Sequence, residues 1–162
     1  MKIIEVVDAL ERFAPLPLQE DYDNAGLQVG LTEAEVSGAL LCLDVTDAIL
    51  DEAIENGCNL IVSHHPLIFR KLARLTGEDY VQRVVMRAVS KGIAIVSMHT
   101  NMDAAKGGVN YKIAEKMGAE VYGTIGQQKQ ATNDRGEVVT GSDGVVARFK
   151  QPLAADDFLK ML

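Results

Sequence analysis

The sequence contains no tryptophan, and aromatic residues make up only 5% of its 162 residues. Because large rings are scarce, we expect a core built from Val, Ile, Leu, Ala and Met. Long apolar runs are also missing, and none approaches the ~18 residues of a membrane span. The first residues, MKIIEVVDALERF, carry acidic side chains within their apolar stretch, unlike a secretory signal. These absences predict a cytoplasmic protein without a membrane partner.

Dense runs of Lys or Arg are absent, and 23 acidic residues against 16 basic ones give a net charge of −7. A nucleic-acid backbone is bound through clustered cations that neutralise its phosphates. The composition therefore disfavours nucleic acid as the main partner. It leaves open a nucleotide that is held through a metal ion.

Cysteine is nearly absent as well. The two cysteines, Cys42 and Cys58, lie in or beside apolar runs, and no Cys-x-x-Cys motif occurs. We expect both to be buried, reduced thiols rather than members of a disulfide or a metal site.

Short apolar runs alternate with helical periodicity between Ala39 and Gly118. The apolar runs predict strands buried on both faces: ALLCLDV (39–45), NLIVS and IAIVSM. The segments that follow them predict helices ending at glycines: TDAILDEAIENG, GEDYVQRVVMRAVSKG and GGVNYKIAEKMG. This alternation predicts an α/β fold with a mainly parallel sheet flanked by helices, in a single domain over residues 1–162.

The flanking segments follow other patterns. An amphipathic helix over IIEVVDALERF, a loop over APLPLQEDYDNAG and a short strand over GLQVG precede the alternation. Beyond Gly118, EVYGTIG and EVVTGSDGVVARF predict extended pieces with glycine turns, and ADDFLKML predicts the start of a helix near Ala155 or Asp156.

Polar side chains follow three of the predicted strands at the point where each strand ends. They are Asp44 after the first strand, His64 and His65 after the second, and His99 and Asp103 after the third. All three histidines of the chain belong to this set. Because ligands bind at the carboxyl edge of an open parallel sheet, these side chains form a candidate site. Imidazole and carboxylate together suit Zn, Fe, Mn or Co.

Each of these residues also has a simpler interpretation. His64 and His65 could be solvated side chains at a strand end, although an equivalent strand end with His99 and Asp103 weakens that interpretation. Asp44 could cap the following helix as readily as it could orient a metal ligand. His99 could orient a neighbour or form a hydrogen bond instead of binding metal.

Four motifs in order make the sequence recognisable: DNAGLQVG, LCLDVT, LIVSHHPLIF followed by RLTG, and HTNMDAAKGGVN. Together they resemble the NGG-interacting-factor-three family, whose bacterial members are often named GTP cyclohydrolase 1 type 2 homologues. The resemblance implies a two-metal centre in which His64 and His65 are the paired histidines and Asp103 is a bridging carboxylate. It implies that His99 lies near the site without being a usual ligand.

The resemblance also implies an assembly and a larger ligand set. The assembly is a ring-shaped homohexamer whose metal centres face an internal cavity. Family members supply a second His and a Glu from near their C-terminus, whereas this chain has no histidine after His99. We therefore expect the N-terminal part of an incomplete family fold. GGVNYKIA has Tyr111 where many members have Asp, a change expected to affect only local packing.

Two functions remain open from the sequence. In a metal-dependent hydrolase, two divalent ions (Zn, Fe or Mn) would activate water against a nucleotide or another phosphorylated metabolite, a GTP cyclohydrolase type by family name. His99 and Asp44 would then act as general acid or base, or orient ligands. In a non-enzymatic metal-binding or regulatory protein, the same residues would store, deliver or sense metal. The expected partners are other copies of the chain and, for an enzyme, a small-molecule substrate.

Overall fold

The computed structural model describes residues 1–161, and a four-stranded sheet lies at its centre. Its strands along the chain are β1 (Gly26–Val29), β2 (Ala39–Cys42), β3 (Leu60–Ser63) and β4 (Ala94–Ser97). Their order across the sheet is β1-β4-β3-β2, in which β2, β3 and β4 are parallel and β1 pairs antiparallel with β4. The prediction of an α/β fold with a mainly parallel sheet is confirmed.

Helices flank this sheet and connect its parallel strands. The helices along the described chain are α1 (Ile3–Phe13), α2 (Asp47–Glu55), α3 (Tyr80–Lys91), α4 (Thr100–Ala104), α5 (Val109–Lys116) and α6 (Ala155–Leu159). The helix α2 links β2 to β3, and α3 links β3 to β4. Among the described residues, no helix has both the length and the apolar character needed to cross a bilayer.

Local capping explains where the two crossover helices begin and end. Thr46 accepts a hydrogen bond from the Ile49 amide at 3.3 Å and begins α2, as predicted. Asp79 does the same for the Gln82 amide at 2.8 Å and begins α3. Gly92 ends α3 with a φ of 67°, a left-handed conformation that glycine adopts without a steric penalty.

The central strands are buried on both faces because alternate side chains enter two separate cores. Leu60, Ala94 and Val96 pack with α1 on one face of the sheet. Ile61 and Ile95 pack with α2 and α3 on the other face. This alternation follows from the two-residue repeat of a strand, and it fixes β3 and β4 rigidly in the middle of the molecule.

The strand β2 differs from its prediction in length and burial. It covers Ala39–Cys42, not residues 39–45, and Leu41 is 76% exposed. The expectation of burial on both faces is wrong here because β2 lies at the sheet edge. Only Leu40 and Cys42 pack against the core on the α2 and α3 side. Cys42 and Cys58 are free thiols, as predicted, but both are only partly buried.

A long antiparallel hairpin forms the second sheet. Its strands are β5 (Glu120–Thr132) and β6 (Val138–Arg148), which agree with the two predicted extended pieces. The strand β5 also runs through QQKQAT, which had no strand pattern. The predicted C-terminal helix begins at Ala155, as expected, while Leu162 lies outside the described residues.

Candidate metal site at the carboxyl edge of the sheet

The parallel strands β3 and β4 end side by side and bring the histidines together. Ser63 is paired in register with Ser97, so His64 and His65 leave β3 next to the segment where His99 follows β4. The two serine hydroxyls are buried and hydrogen-bond to each other at 2.8 Å. This contact ties the two strand ends together directly beneath the candidate site.

All three histidines of the chain form one cluster. One ring nitrogen of each of His64, His65 and His99 lies within 4.8 Å of those of the other two. Asp103 lies beside them, with its Oδ1 3.7 Å from His64 Nε2. The structure thus brings His64, His65 and His99 together at this edge, with Asp103 next to His64, while the assignment of His64, His65 and Asp103 as metal ligands stays a prediction.

Each imidazole in the cluster is held through its Nδ1 atom. The acceptor for His64 is the Met98 carbonyl oxygen at 2.9 Å, and the acceptor for His65 is Asp44 Oδ1 at 2.7 Å. Asp23 Oδ1 lies 2.8 Å from His99 Nδ1. Because a carbonyl or carboxylate oxygen only accepts, the proton of each neutral ring lies on Nδ1. Every Nε2 atom therefore keeps the lone pair with which a histidine binds metal.

Asp23 is a site residue that sequence reasoning did not single out. Its side chain is fully buried, and it accepts hydrogen bonds from His99, from the Thr100 amide at 3.1 Å and from the Thr100 hydroxyl. Burial alone would raise its pKa. The hydrogen bonds from Thr100, His99 and the Asn24 amide outweigh burial and hold the pKa of Asp23 below its ordinary value. Asp23 is therefore a charged anchor for His99 at neutral pH.

The sequence left two roles open for Asp44, the cap of the following helix and the group that orients a metal ligand. Thr46 caps α2, whereas Asp44 contacts His65 and leaves 60% of its own side chain exposed. The geometry thus makes Asp44 the group that orients His65.

The spacing of the donors is compatible with divalent ions. Two donors bound to one ion at ~2.0–2.2 Å each lie at most about 4.4 Å apart. The 3.7 Å separation between His64 and Asp103 falls within that limit. The ring nitrogens of the three histidines lie within 4.8 Å of one another, a spacing that suits the ligands of two ions about 3.5–4 Å apart. The residues present therefore suit a metal site of imidazole and carboxylate donors.

The hairpin forms one wall beside Asp103. A cavity of about 370 Å³ is lined there by Asp103 with Glu20, Tyr22, Thr100, Ala104, Ser142 and Asp143. Lys129 of β5 forms an ion pair with Glu20 and donates to the Leu18 carbonyl at 3.2 Å. These contacts fix β5 and β6 against the loop that carries Asp23, so the site opens toward a shaped, partly polar recess.

The sequence has clear relatives. The model of the Duf34/NIF3 (NGG1p interacting factor 3) family matches residues 1–162. A Clostridium acetobutylicum protein named GTP cyclohydrolase 1 type 2 homolog is 35% identical over 136 residues, which are 84% of this chain and 51% of that protein. A Staphylococcus aureus protein of the same name is 37% identical over 129 residues, covering 80% of this chain and 35% of the relative. The chain thus spans about half, or less, of the length of these curated relatives.

Solved structures show the same fold. A Staphylococcus aureus hypothetical protein superposes with a TM-score of 0.73 at 37% identity, covering 80% of this chain and 37% of the other. Reduced HcgD from Methanocaldococcus jannaschii superposes with a TM-score of 0.70 at 29% identity, covering 99% of this chain and 58% of the other. The family model, the curated relatives and the shared fold agree, and the chain belongs to the Duf34/NIF3 (NGG1p interacting factor 3) family.

Proposed function

We propose that the chain binds divalent metal ions through His64, His65 and Asp103 and acts as a metal-dependent hydrolase. The observation that carries the proposal is the common hydrogen-bonding arrangement of the three imidazoles and their position at one sheet edge. Each Nδ1 is held by an oxygen acceptor, and the ring nitrogens gather within 4.8 Å at one sheet edge. The proposed substrate is a nucleotide or another phosphorylated metabolite, a class suggested by the relatives' name, GTP cyclohydrolase 1 type 2 homolog.

Each site residue has a distinct role in this proposal. A bound divalent ion would polarise the reacting bond and bring the pKa of its water toward neutrality. His64 and His65 are orientated by the Met98 carbonyl and Asp44, which preserve their Nε2 lone pairs. Asp103 supplies the negative charge among the three ligands. His99, held by Asp23, is the group that accepts and returns a proton at Nε2.

A non-enzymatic role is the second candidate. The same imidazole and carboxylate donors, His64, His65 and Asp103, suit a divalent ion whether or not a substrate is turned over. A protein with this ligand set could store or sense one ion without turning over a substrate.

Self-association and a cytoplasmic location complete the proposal. The strand β2 has an unpaired edge in the described chain. Leu41 within it is 76% exposed, and Leu43 just after it is 59% exposed. Open strand edges tend to pair, which supports contact with another copy and, by the resemblance, a homohexameric ring. The free thiols Cys42 and Cys58 fit a reducing compartment such as the cytoplasm.

A turnover screen separates the two candidate functions. Purified protein, metal-loaded or metal-depleted, is incubated with GTP, other nucleotides and simple phosphoesters. The proposed hydrolase gives metal-dependent product, and His99→Gln lowers the rate by about 100-fold or more while metal binding persists. Metal binding without any turnover would favour the non-enzymatic role instead.

A further inference from the structure

The loop that follows the histidine pair carries three free cations. Arg70, Lys71 and Arg74 lie between β3 and α3, and all three are exposed. Within residues 1–161, none of them lies within 4.0 Å of a carboxylate partner, whereas Arg83 and Arg87 of α3 form ion pairs with acids of α2. In a chain with a net charge of −7, three cations without an ion-pair partner thus lie on one short loop.

The three cations line a single cavity formed by the segment that follows the histidine pair and by the start of α3. The cavity has a volume of about 520 Å³, within the ~300–1,000 Å³ range of small-molecule sites. Its wall includes Pro66, the residue after His65, and Phe69. The Phe69 ring lies edge-on to His99 with 6.4 Å between the ring centres. Phe69 therefore lines the cavity and also contacts a ring of the histidine cluster.

Two acids also line the cavity but do not neutralise it. The Asp79 carboxylate is engaged as the cap of α3, where it accepts from the Gln82 amide at 2.8 Å and from Gln82 Nε2 at 3.0 Å. Its charge is thus directed at a helix N-terminus, which carries partial positive charge of its own. Glu78 is the other acid. Three cations against these two acids leave the lining net positive.

Both ends of the loop are anchored, which fixes the cations relative to the histidines. Asn24 Nδ2 donates to the Ile68 carbonyl at 2.6 Å, and the Ile68 amide donates to Gln28 Oε1 at 2.8 Å. At the other end, the Thr76 amide donates to Gln82 Oε1 at 2.9 Å. A loop held in this way loses less conformational entropy when a ligand binds, because its backbone is already ordered.

We propose that Arg70, Lys71 and Arg74 form an anion-binding subsite for the phosphate groups of a small-molecule ligand. The ligand class rests on the proposed function, in which the substrate is phosphorylated. Arginine presents a planar fork of donors that matches phosphate oxygens, and lysine adds a compact charge. A bounded cavity with three cations fits a small phosphate compound, whereas a nucleic-acid backbone needs an extended basic stripe.

Binding of inorganic pyrophosphate to metal-depleted protein tests the subsite without requiring metal or turnover. Calorimetry at low ionic strength compares the wild type with the triple variant Arg70→Gln, Lys71→Gln, Arg74→Gln. The matched control, Lys91→Gln, Lys106→Gln, Lys116→Gln, removes the same charge from other exposed positions. We expect the loop variant to bind at least about tenfold more weakly and the control to remain within about twofold of the wild type. The single variant Arg74→Gln should lose a smaller part of the affinity.

Three results would overturn the subsite. They are a wild type that does not bind pyrophosphate, a control variant that loses as much affinity as the loop variant, and a single-stranded oligonucleotide that binds where pyrophosphate does not. Metal titration of the same proteins keeps this test apart from the proposed function. A loop variant with unchanged metal binding and weakened pyrophosphate binding supports the subsite. If the protein binds pyrophosphate but no metal ion, the subsite is supported and the proposed hydrolase function is contradicted.

Discussion

His99 Nδ1 lies 2.8 Å from Oδ1 of Asp23, although 76 positions separate the two residues along the chain. The contact joins the loop before β1 to the strand end that carries the candidate metal site. The same carboxylate accepts hydrogen bonds from the amide and the hydroxyl of Thr100. A single buried charge therefore sets both the ring orientation of His99 and the start of α4.

The substitution Asp23→Ala should destabilise the protein by about 1–3 kcal/mol, because the partly buried donors of His99 and Thr100 lose their acceptor. Urea denaturation followed by circular dichroism measures the free energy of unfolding. The exposed neighbour Asp21 provides the control, since Asp21→Ala should change stability by no more than about 0.5 kcal/mol. Equal effects of the two substitutions would show that Asp23 has no anchoring role.

The contribution of Asp23 to stability should depend on pH in one direction. Its folded-state pKa is lowered below the ordinary value, so the native state favours the charged form. The contribution is complete above the unfolded-state pKa, ~3.9, and is lost as the pH falls through the lower folded-state pKa. The stability difference between the wild type and Asp23→Asn should therefore be larger at about pH 5 than below about pH 4, where the Asp23 carboxylate becomes protonated. A difference that grows under acid conditions would contradict this assignment.

The substitution Asp44→Asn should weaken metal binding about 10- to 100-fold without lowering the melting temperature appreciably. Asp44 holds His65 through Nδ1, whereas its side chain is 60% exposed and Thr46 caps α2. Calorimetric metal titration and thermal melts measure the two effects on the same samples. Glu52→Gln, an exposed change on α2, should alter neither quantity. A large fall in melting temperature would instead make Asp44 a structural residue.

The free edge of β2 should contribute to self-association. We expect the wild type to form oligomers at micromolar concentration in light scattering and Leu41→Lys to shift it toward the monomer, because lysine blocks strand-edge pairing. Leu31 is 80% exposed and lies outside the sheet, so Leu31→Lys should leave the mass unchanged. A monomeric wild type would contradict the proposed assembly.

Strand-end reasoning located the candidate site because its signals are local. Apolar runs followed by His64 and Asp44, and the parallel sheet implied by the helices between them, place polar side chains at one edge. The position of Asp23 could not be derived in this way, since EDYDNAG contains three acids and nothing local distinguishes the one that contacts His99. Such a contact depends on how the loop folds back across the sheet.

Other differences also have physical causes. The pattern of ALLCLDV suits an edge strand as well as a central one, because coverage of a strand depends on its neighbours in space. The five-residue helix α4 is too short to show a helical apolar repeat. In β5, the polar residues QQKQAT become a strand only because β6 pairs with them, from Gln128 with Ser142 to Thr132 with Val138.

Calorimetric titration of metal-depleted protein with Mn²⁺ or Zn²⁺ tests the central claim most directly. The wild type should bind one ion tightly and a second ion weakly or not at all, since one carboxylate and neutral imidazoles leave much of the repulsion between two dications. His64→Ala and Asp103→Asn should each weaken the tight site by more than about 100-fold, and the exposed control Asp8→Asn should bind like the wild type. Unchanged affinity in either ligand variant would contradict the proposed site. Two tight ions per chain would show that the assigned ligand set is wrong.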